Sequence, residues 1–96
     1  MRFLMTTVTW ADPIKMHPKL IDELMAIHGD WLRVNPHVWF TYTSSSRSEV
    51  IGSVGKNLSN NDIVLCTEVK PAEIEGLAQD WVWKWFGARM HQIGQE

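Results

Sequence analysis

The segment Asp30–Thr43, DWLRVNPHVWFTYT, constrains the fold most, because its aromatic and β-branched residues fit β-strands and match no helical spacing. Asn35 and Pro36 predict a tight turn that joins two strands into a hairpin. In the second strand, a period of two places alternate side chains on opposite faces of a sheet. The predicted faces are Val38, Phe40 and Tyr42 on one side, and His37, Trp39, Thr41 and Thr43 on the other.

Two further strands are predicted outside the hairpin. Arg2–Trp10 is rich in Phe, Val and Thr and carries apolar residues on both faces, which favours a central strand covered on both sides. Asp62–Val69 contains IVLCTEV, a nearly continuous apolar run bounded by turn residues.

Three helices are predicted between and after these strands. The first begins at Pro18 and ends at His28, before Gly29. The second follows a capping box at Ser46–Glu49 and extends to about Leu58. The third covers about Leu77–His91. Its predicted buried stripe consists of Ala78, Trp81, Val82, Trp85 and Phe86.

The order of these elements is β-α-β-β-α-β with an added C-terminal helix. This order predicts an α+β, ferredoxin-like fold, in which an antiparallel sheet carries two helices on one face. The 96 residues fit one domain, spanning residues 1–96. We therefore expect the second face of the sheet to be open and to seek a partner.

The composition limits the classes of function. The net charge of −2 and the pI of about 6.0 lack the basic excess of a protein that binds nucleic acid mainly through phosphates. Six tryptophans in so short a chain exceed what a small core is expected to hide, and surplus apolar surface indicates a protein partner. The lone Cys66 excludes an intramolecular disulfide. Neither a signal sequence nor a membrane span is recognisable, so we expect a cytoplasmic protein.

Several segments together resemble a known family. They are MRFLMT at the start, VWFTYT in the hairpin, and NNDIVLCTEV followed by GLAQDWVWKWF. In the order of their secondary-structure elements and in their local sequence character, residues 1–87 resemble the SinR/Cas2-like group of small ferredoxin-like proteins found with CRISPR and toxin–antitoxin systems. The resemblance implies a homodimer made by joining or stacking two sheets.

The resemblance to Cas2 itself also implies nucleic-acid handling, with an Asp at the end of the first strand binding a divalent metal in the dimer cleft. In this chain Val8 stands at that position and has no oxygen ligand for a hard cation. The nearest carboxylate is Asp12, which is therefore the candidate metal ligand. A divalent metal is the one cofactor considered, and it belongs to the nuclease hypothesis only.

No catalytic residue is predicted from the other polar side chains. The four histidines lack metal-ligand spacing, and Cys66 lies between apolar residues, which disfavours a reactive thiolate. In the hairpin, Arg33 alone offers a positive charge beside the aromatic residues, so it is the candidate contact for nucleic acid.

The aromatic residues are the main candidates for an interface. Trp31, Trp39 and Tyr42 lie on the hairpin strands, where core packing, dimer packing and base stacking all remain open. Trp83 falls roughly 200° from Trp81 on the third helix, off its buried stripe. Three functions follow as hypotheses. They are a non-catalytic homodimeric interaction module with a possible second protein partner, a Cas2-like metal-dependent nuclease, and a phage- or plasmid-type inhibitor of a host protein.

Overall fold

A computed structural model describes residues 1–95, with side chains to residue 91. Within this range the strands are β1 (Arg2–Thr9), β2 (Gly29–Asn35), β3 (Val38–Thr43) and β4 (Ile63–Val69). The helices are α1 (Pro18–His28), α2 (Arg47–Gly55) and α3 (Asp80–Gln95), and short 3-10 turns occupy Pro13–Lys15 and Pro71–Glu73.

The four described strands form one sheet in the order β2-β3-β1-β4, and every neighbouring pair is antiparallel. It follows that β1 and β2 run parallel to each other, joined by α1, with β3 between them. In the same way β3 and β4 are parallel, joined by α2, with β1 between them. The predicted α+β class, the antiparallel sheet and the central position of β1 are confirmed.

The end of α1 and the start of α2 form where the sequence places their caps. The Gly29 amide donates to the Met25 carbonyl at the end of α1. At the start of α2, the Ser46 hydroxyl accepts the Glu49 amide and the Glu49 carboxylate accepts the Ser46 amide, both at 3.1 Å. These two bonds confirm the capping box. Helix α2 ends at Gly55 rather than Leu58. After it, the amides of residues 57 and 58 donate to the carbonyls of residues 54 and 55, three residues earlier, in place of the four-residue spacing of an α-helix.

One hydrophobic core lies between the sheet and the pair α1 and α2. Alternate residues of β1 face it, in agreement with the strand period, and the Val50 and Val54 side chains meet them from α2. The two helices therefore share one face of the sheet, as predicted. The buried members of this core are Leu4, Val8, Trp10, Ile21, Met25, Trp39, Val50 and Val54.

Helix α3 covers part of the opposite face, which was expected to be open. Phe86 is the centre of this second core, because its ring lies 4.9 Å from Phe40, 5.7 Å from Phe3 and 5.2 Å from Trp85 between centroids. Val82 is buried one turn earlier. The expectation of a bare sheet face is thus wrong over β1, β2 and β3, because the apolar stripe of α3 packs back on its own sheet.

The buried stripe of α3 differs from the predicted one. The helix begins at Asp80, so Ala78 lies before it and is exposed. Trp81, predicted to be buried, is 49% exposed, and its indole N–H donates to the nearby Gln79 side chain. Val82 and Phe86 are buried as predicted, and Trp85 packs against the same core. Trp83, which was placed off the stripe, joins them in place of Trp81.

Candidate interaction surface

Strand β4 is an edge strand that carries exposed apolar side chains. Among the described residues it pairs with β1 alone, so its outer edge has no ladder partner. Ile63 and Leu65 pair with Thr9 and Thr7, and they lie on the same face of the sheet as α3. They are 52% and 65% exposed. A long apolar edge of this kind is a template for pairing with another strand.

The other edge of the sheet is protected against such pairing. Strand β2 has an irregular register between Arg33 and Asn35, and a bulge of this kind twists an edge away from an incoming strand. It also carries Asp30, whose carboxylate lies 3.4 Å from Arg89. The two edges are therefore unequal, and β4 is the one open to a partner.

Opposite charges flank β4. Asp62 precedes it, and the carboxylate of Asp62 accepts the amides of Ala11 and Ser59, each at 2.8 Å. Lys70 follows it and is exposed. Inside the strand the one charged residue is Glu68, whose carboxylate lies 3.8 Å from the Arg2 guanidinium.

The backbone amides of Ala11 and Ser59 hold the pKa of Asp62 below its ordinary value of 3.8. A depressed pKa in the folded state contributes stability that is present above the unfolded pKa and is lost as the pH falls through the folded one. We expect Asp62→Asn to destabilise the protein at pH 7 and the difference from the wild type to shrink below about pH 4. Urea unfolding of both proteins at pH 7 and pH 3 measures this. An equal difference at both pH values would contradict the role of the carboxylate charge.

Cys66 lies at the middle of β4 on the face that packs under α1 and α2. Its sulfur accepts a hydrogen bond from the Thr6 hydroxyl at 3.5 Å, and it packs against the first core. Burial raises the pKa of the Cys66 thiol. The thiol is therefore mainly protonated at neutral pH, as expected from its apolar neighbours.

Two of the four predicted interface residues lie in the cores. Trp39 is fully buried under α1, where its indole N–H donates to the Asp22 carboxylate at 2.8 Å. Tyr42 is buried on the other face, with its ring 5.0 Å from that of Phe3. In the folded chain neither side chain is accessible to a partner, so neither belongs to the candidate surface.

The other two predicted interface residues are partly accessible. Trp31, on β2, is 37% exposed. Trp83 is half-buried against the second core, with its ring 6.4 Å from Phe86. Trp31 lies apart from the exposed pair on β4, because β2 is the opposite edge strand of the sheet.

The candidate residues for metal and nucleic acid make contacts within the chain. Asp12 begins the 3-10 turn, and its carboxylate accepts the Ile14 amide at 3.0 Å. It lines a cleft of about 180 Å³ together with Asp62, whose two oxygens already accept amides. Arg33 forms an ion pair with Asp22 at 3.3 Å. Up to residue 91, the last with a described side chain, no group of three or more His, Cys, Asp or Glu side chains is placed to bind a metal.

Sequence reasoning missed the exposed pair on β4. The run IVLCTEV was interpreted as a strand without a decision about which of its faces is covered. A signal was present, because the last strand of the predicted order lies at an edge of the sheet. Ile63 and Leu65, two residues apart on that strand, share one face by the strand period.

Comparison of the chain with protein-family models, with curated proteins and with solved structures finds no match. Across the described part of the chain, every helix is too short or too polar to cross a membrane. The geometry of the chain itself, above all that of β4, is therefore the basis for inferring its function.

Proposed function

We propose that the chain is a small non-catalytic interaction module that works as a homodimer. The observation that carries this proposal is the exposure of Ile63 and Leu65 on β4, an edge strand that pairs with β1 alone within the described residues. Burying such side chains against a second copy removes apolar surface from water, which is the main driving force for association. The surface used is the part of the sheet face that α3 leaves open.

The strand order supports the ferredoxin-like arrangement as the finer description of the fold. The chain has two strand–helix–strand units, and the two strands of each unit are parallel. Between these two strands lies one strand of the other unit, which is the split βαβ pattern of that fold. The same arrangement agrees with the resemblance to SinR/Cas2-like proteins, for which a homodimer is expected. The resemblance remains part of the proposal.

The proposal ranks above the nuclease hypothesis on the contacts of its candidate ligand. A carboxylate oxygen of Asp12 accepts a hydrogen bond from the Ile14 amide, which is a common way for an Asp to begin a turn. An inhibitor of a host protein is the other hypothesis, and it would use the same exposed surface with a different partner. The oligomeric state of the purified chain, monomer or dimer, distinguishes that hypothesis from the homodimer.

The test is Leu65→Lys. We expect the wild type to sediment as a dimer, and the variant to raise the dimer dissociation constant about 30-fold or more, because a charge replaces a central apolar contact in both copies. Sedimentation velocity over a range of concentrations measures the change, and circular dichroism checks that the fold is retained.

The matched control is Ile27→Lys, which makes the same kind of change at a residue of α1 that is 77% exposed. It is expected to leave the dimer intact. A wild-type chain that stays monomeric at every concentration contradicts the homodimer and favours the inhibitor hypothesis. A dimer unaffected by Leu65→Lys contradicts the proposed surface.

A further inference from the structure

We infer that two copies pair through their β4 strands, antiparallel, about a two-fold axis that passes at Cys66 and joins the two sheets into one. This inference rests on the proposed homodimer and adds the partner strand and the register. In this register each residue of Ile63–Val69 faces, in the second copy, the residue that lies the same number of positions away on the other side of Cys66.

The backbone of β4 suits a second copy of itself. An antiparallel edge offers alternating N–H and C=O groups, and a two-fold axis brings each donor of one copy to an acceptor of the other. Strand β2 is a poor alternative partner because of its irregular register and its Asp30 and Arg33 charges. A contact of β4 with β2 of another copy would also be head-to-tail and leave edges open at both ends.

The charges at the strand ends favour the register centred on Cys66. With the axis at Cys66, Asp62 of one copy faces Lys70 of the other, and the two-fold axis repeats this pair of opposite charges at the far end. Moving the axis to Leu65 would instead set Glu68 opposite Asp62 and place two negative charges together. Like charges directly opposite each other destabilise a strand pair, so the register centred on Cys66 is favoured over the one centred on Leu65.

The side chains agree with the same register. On the face that carries α3, Leu65 meets Thr67 and Ile63 meets Val69 of the second copy, so the exposed apolar pair is covered by uncharged partners. On the other face Glu68 meets Val64 and keeps its own Arg2 as an ion-pair partner. No like charges face each other along the seven-residue strand.

The register is tested by disulfide trapping in the full chain with Cys66→Ser, which removes the one natural cysteine. Leu65→Cys and Thr67→Cys are introduced separately, and both positions are exposed. Under mild oxidation, each variant alone is expected to give little covalent dimer. A mixture of the two is expected to give severalfold more, because the residues face each other only across copies.

Sedimentation of the same samples shows whether they are dimeric, and this separates a wrong register from the absence of a dimer. A dimer in which Leu65→Cys traps itself, or in which the mixture gains nothing, overturns the register and leaves the homodimer standing. A monomer overturns the homodimer and the register together.

A second variant tests the end charges without touching the apolar contact. Lys70→Glu sets two carboxylates opposite each other at both ends of the strand pair and is expected to weaken the dimer roughly 5-fold. The control Lys19→Glu, on the exposed surface of α1, makes the same change in net charge and is expected to leave the dimer unchanged. Equal effects of the two variants overturn the pairing of Asp62 with Lys70.

Discussion

Trp39→Ala is expected to destabilise the fold by about 3–5 kcal/mol, the cost typical of removing a large aromatic side chain from a core. Trp39 is fully buried, and truncation also takes the indole N–H donor from the Asp22 carboxylate. A domain of this size has roughly 5–15 kcal/mol of stability in total. Urea unfolding, followed by circular dichroism at several protein concentrations, measures the change.

The matched control for this prediction is Trp81→Ala. Trp81 is about half exposed, and its indole N–H donates to the nearby Gln79 side chain. Its truncation is expected to change the free energy of unfolding by less than about 1 kcal/mol. If Trp39→Ala kept the wild-type stability and only dissociated the dimer, Trp39 would be an interface residue and the core assignment would be wrong.

Gly29→Ala is expected to destabilise the fold by about 3 kcal/mol or more, because it combines backbone strain with overpacking. Gly29 has φ of +158° and faces Thr43 across the ladder between β2 and β3. A β-carbon at this position would overlap the carbonyl oxygen of Tyr42 and lie 3.3 Å from its carbonyl carbon. Since both neighbours are backbone atoms, relief requires the strands to move apart.

The same substitution at Gly52 provides the control. Gly52 lies in α2, and none of the described atoms comes within 4 Å of a β-carbon there, so Gly52→Ala is expected to stabilise the protein by about 0.5–1 kcal/mol through helix propensity. Thermal or urea unfolding of the two variants should therefore give shifts of opposite sign. A Gly29→Ala protein as stable as the wild type would contradict the close approach of the strands.

The β-hairpin was predictable because its signal is local. Alternation over Val38–Thr43 assigns each side chain to a face, and the structure confirms both faces, with Phe40 in one core and Trp39 in the other. Gly29 was also recognised, as the residue that ends α1. The reason why alanine is excluded there could not be read from the sequence, since it depends on the Tyr42 backbone, which is distant in sequence.

The third helix shows where the local signal ends. The spacing in GLAQDWVWKWF fits more than one apolar stripe, because tryptophans recur at residues 81, 83 and 85. The predicted stripe already held Phe86, and the contact of Phe86 with Phe3 and Phe40 on the sheet turns Trp83, rather than Trp81, towards the second core. That choice exposes Trp81 and covers the sheet face that was expected to be open.

By itself the sequence determined the order of strands and helices, the end of α1, the capping box of α2 and the alternation of faces along each strand, because these depend on neighbours within a few residues. Only the tertiary structure decided which apolar groups stay exposed. Burial depends on which distant segments pack together, and α3 covers one part of the sheet while leaving Ile63 and Leu65 of β4 accessible. The candidate site is that accessible remainder, and strand periodicity alone does not locate it.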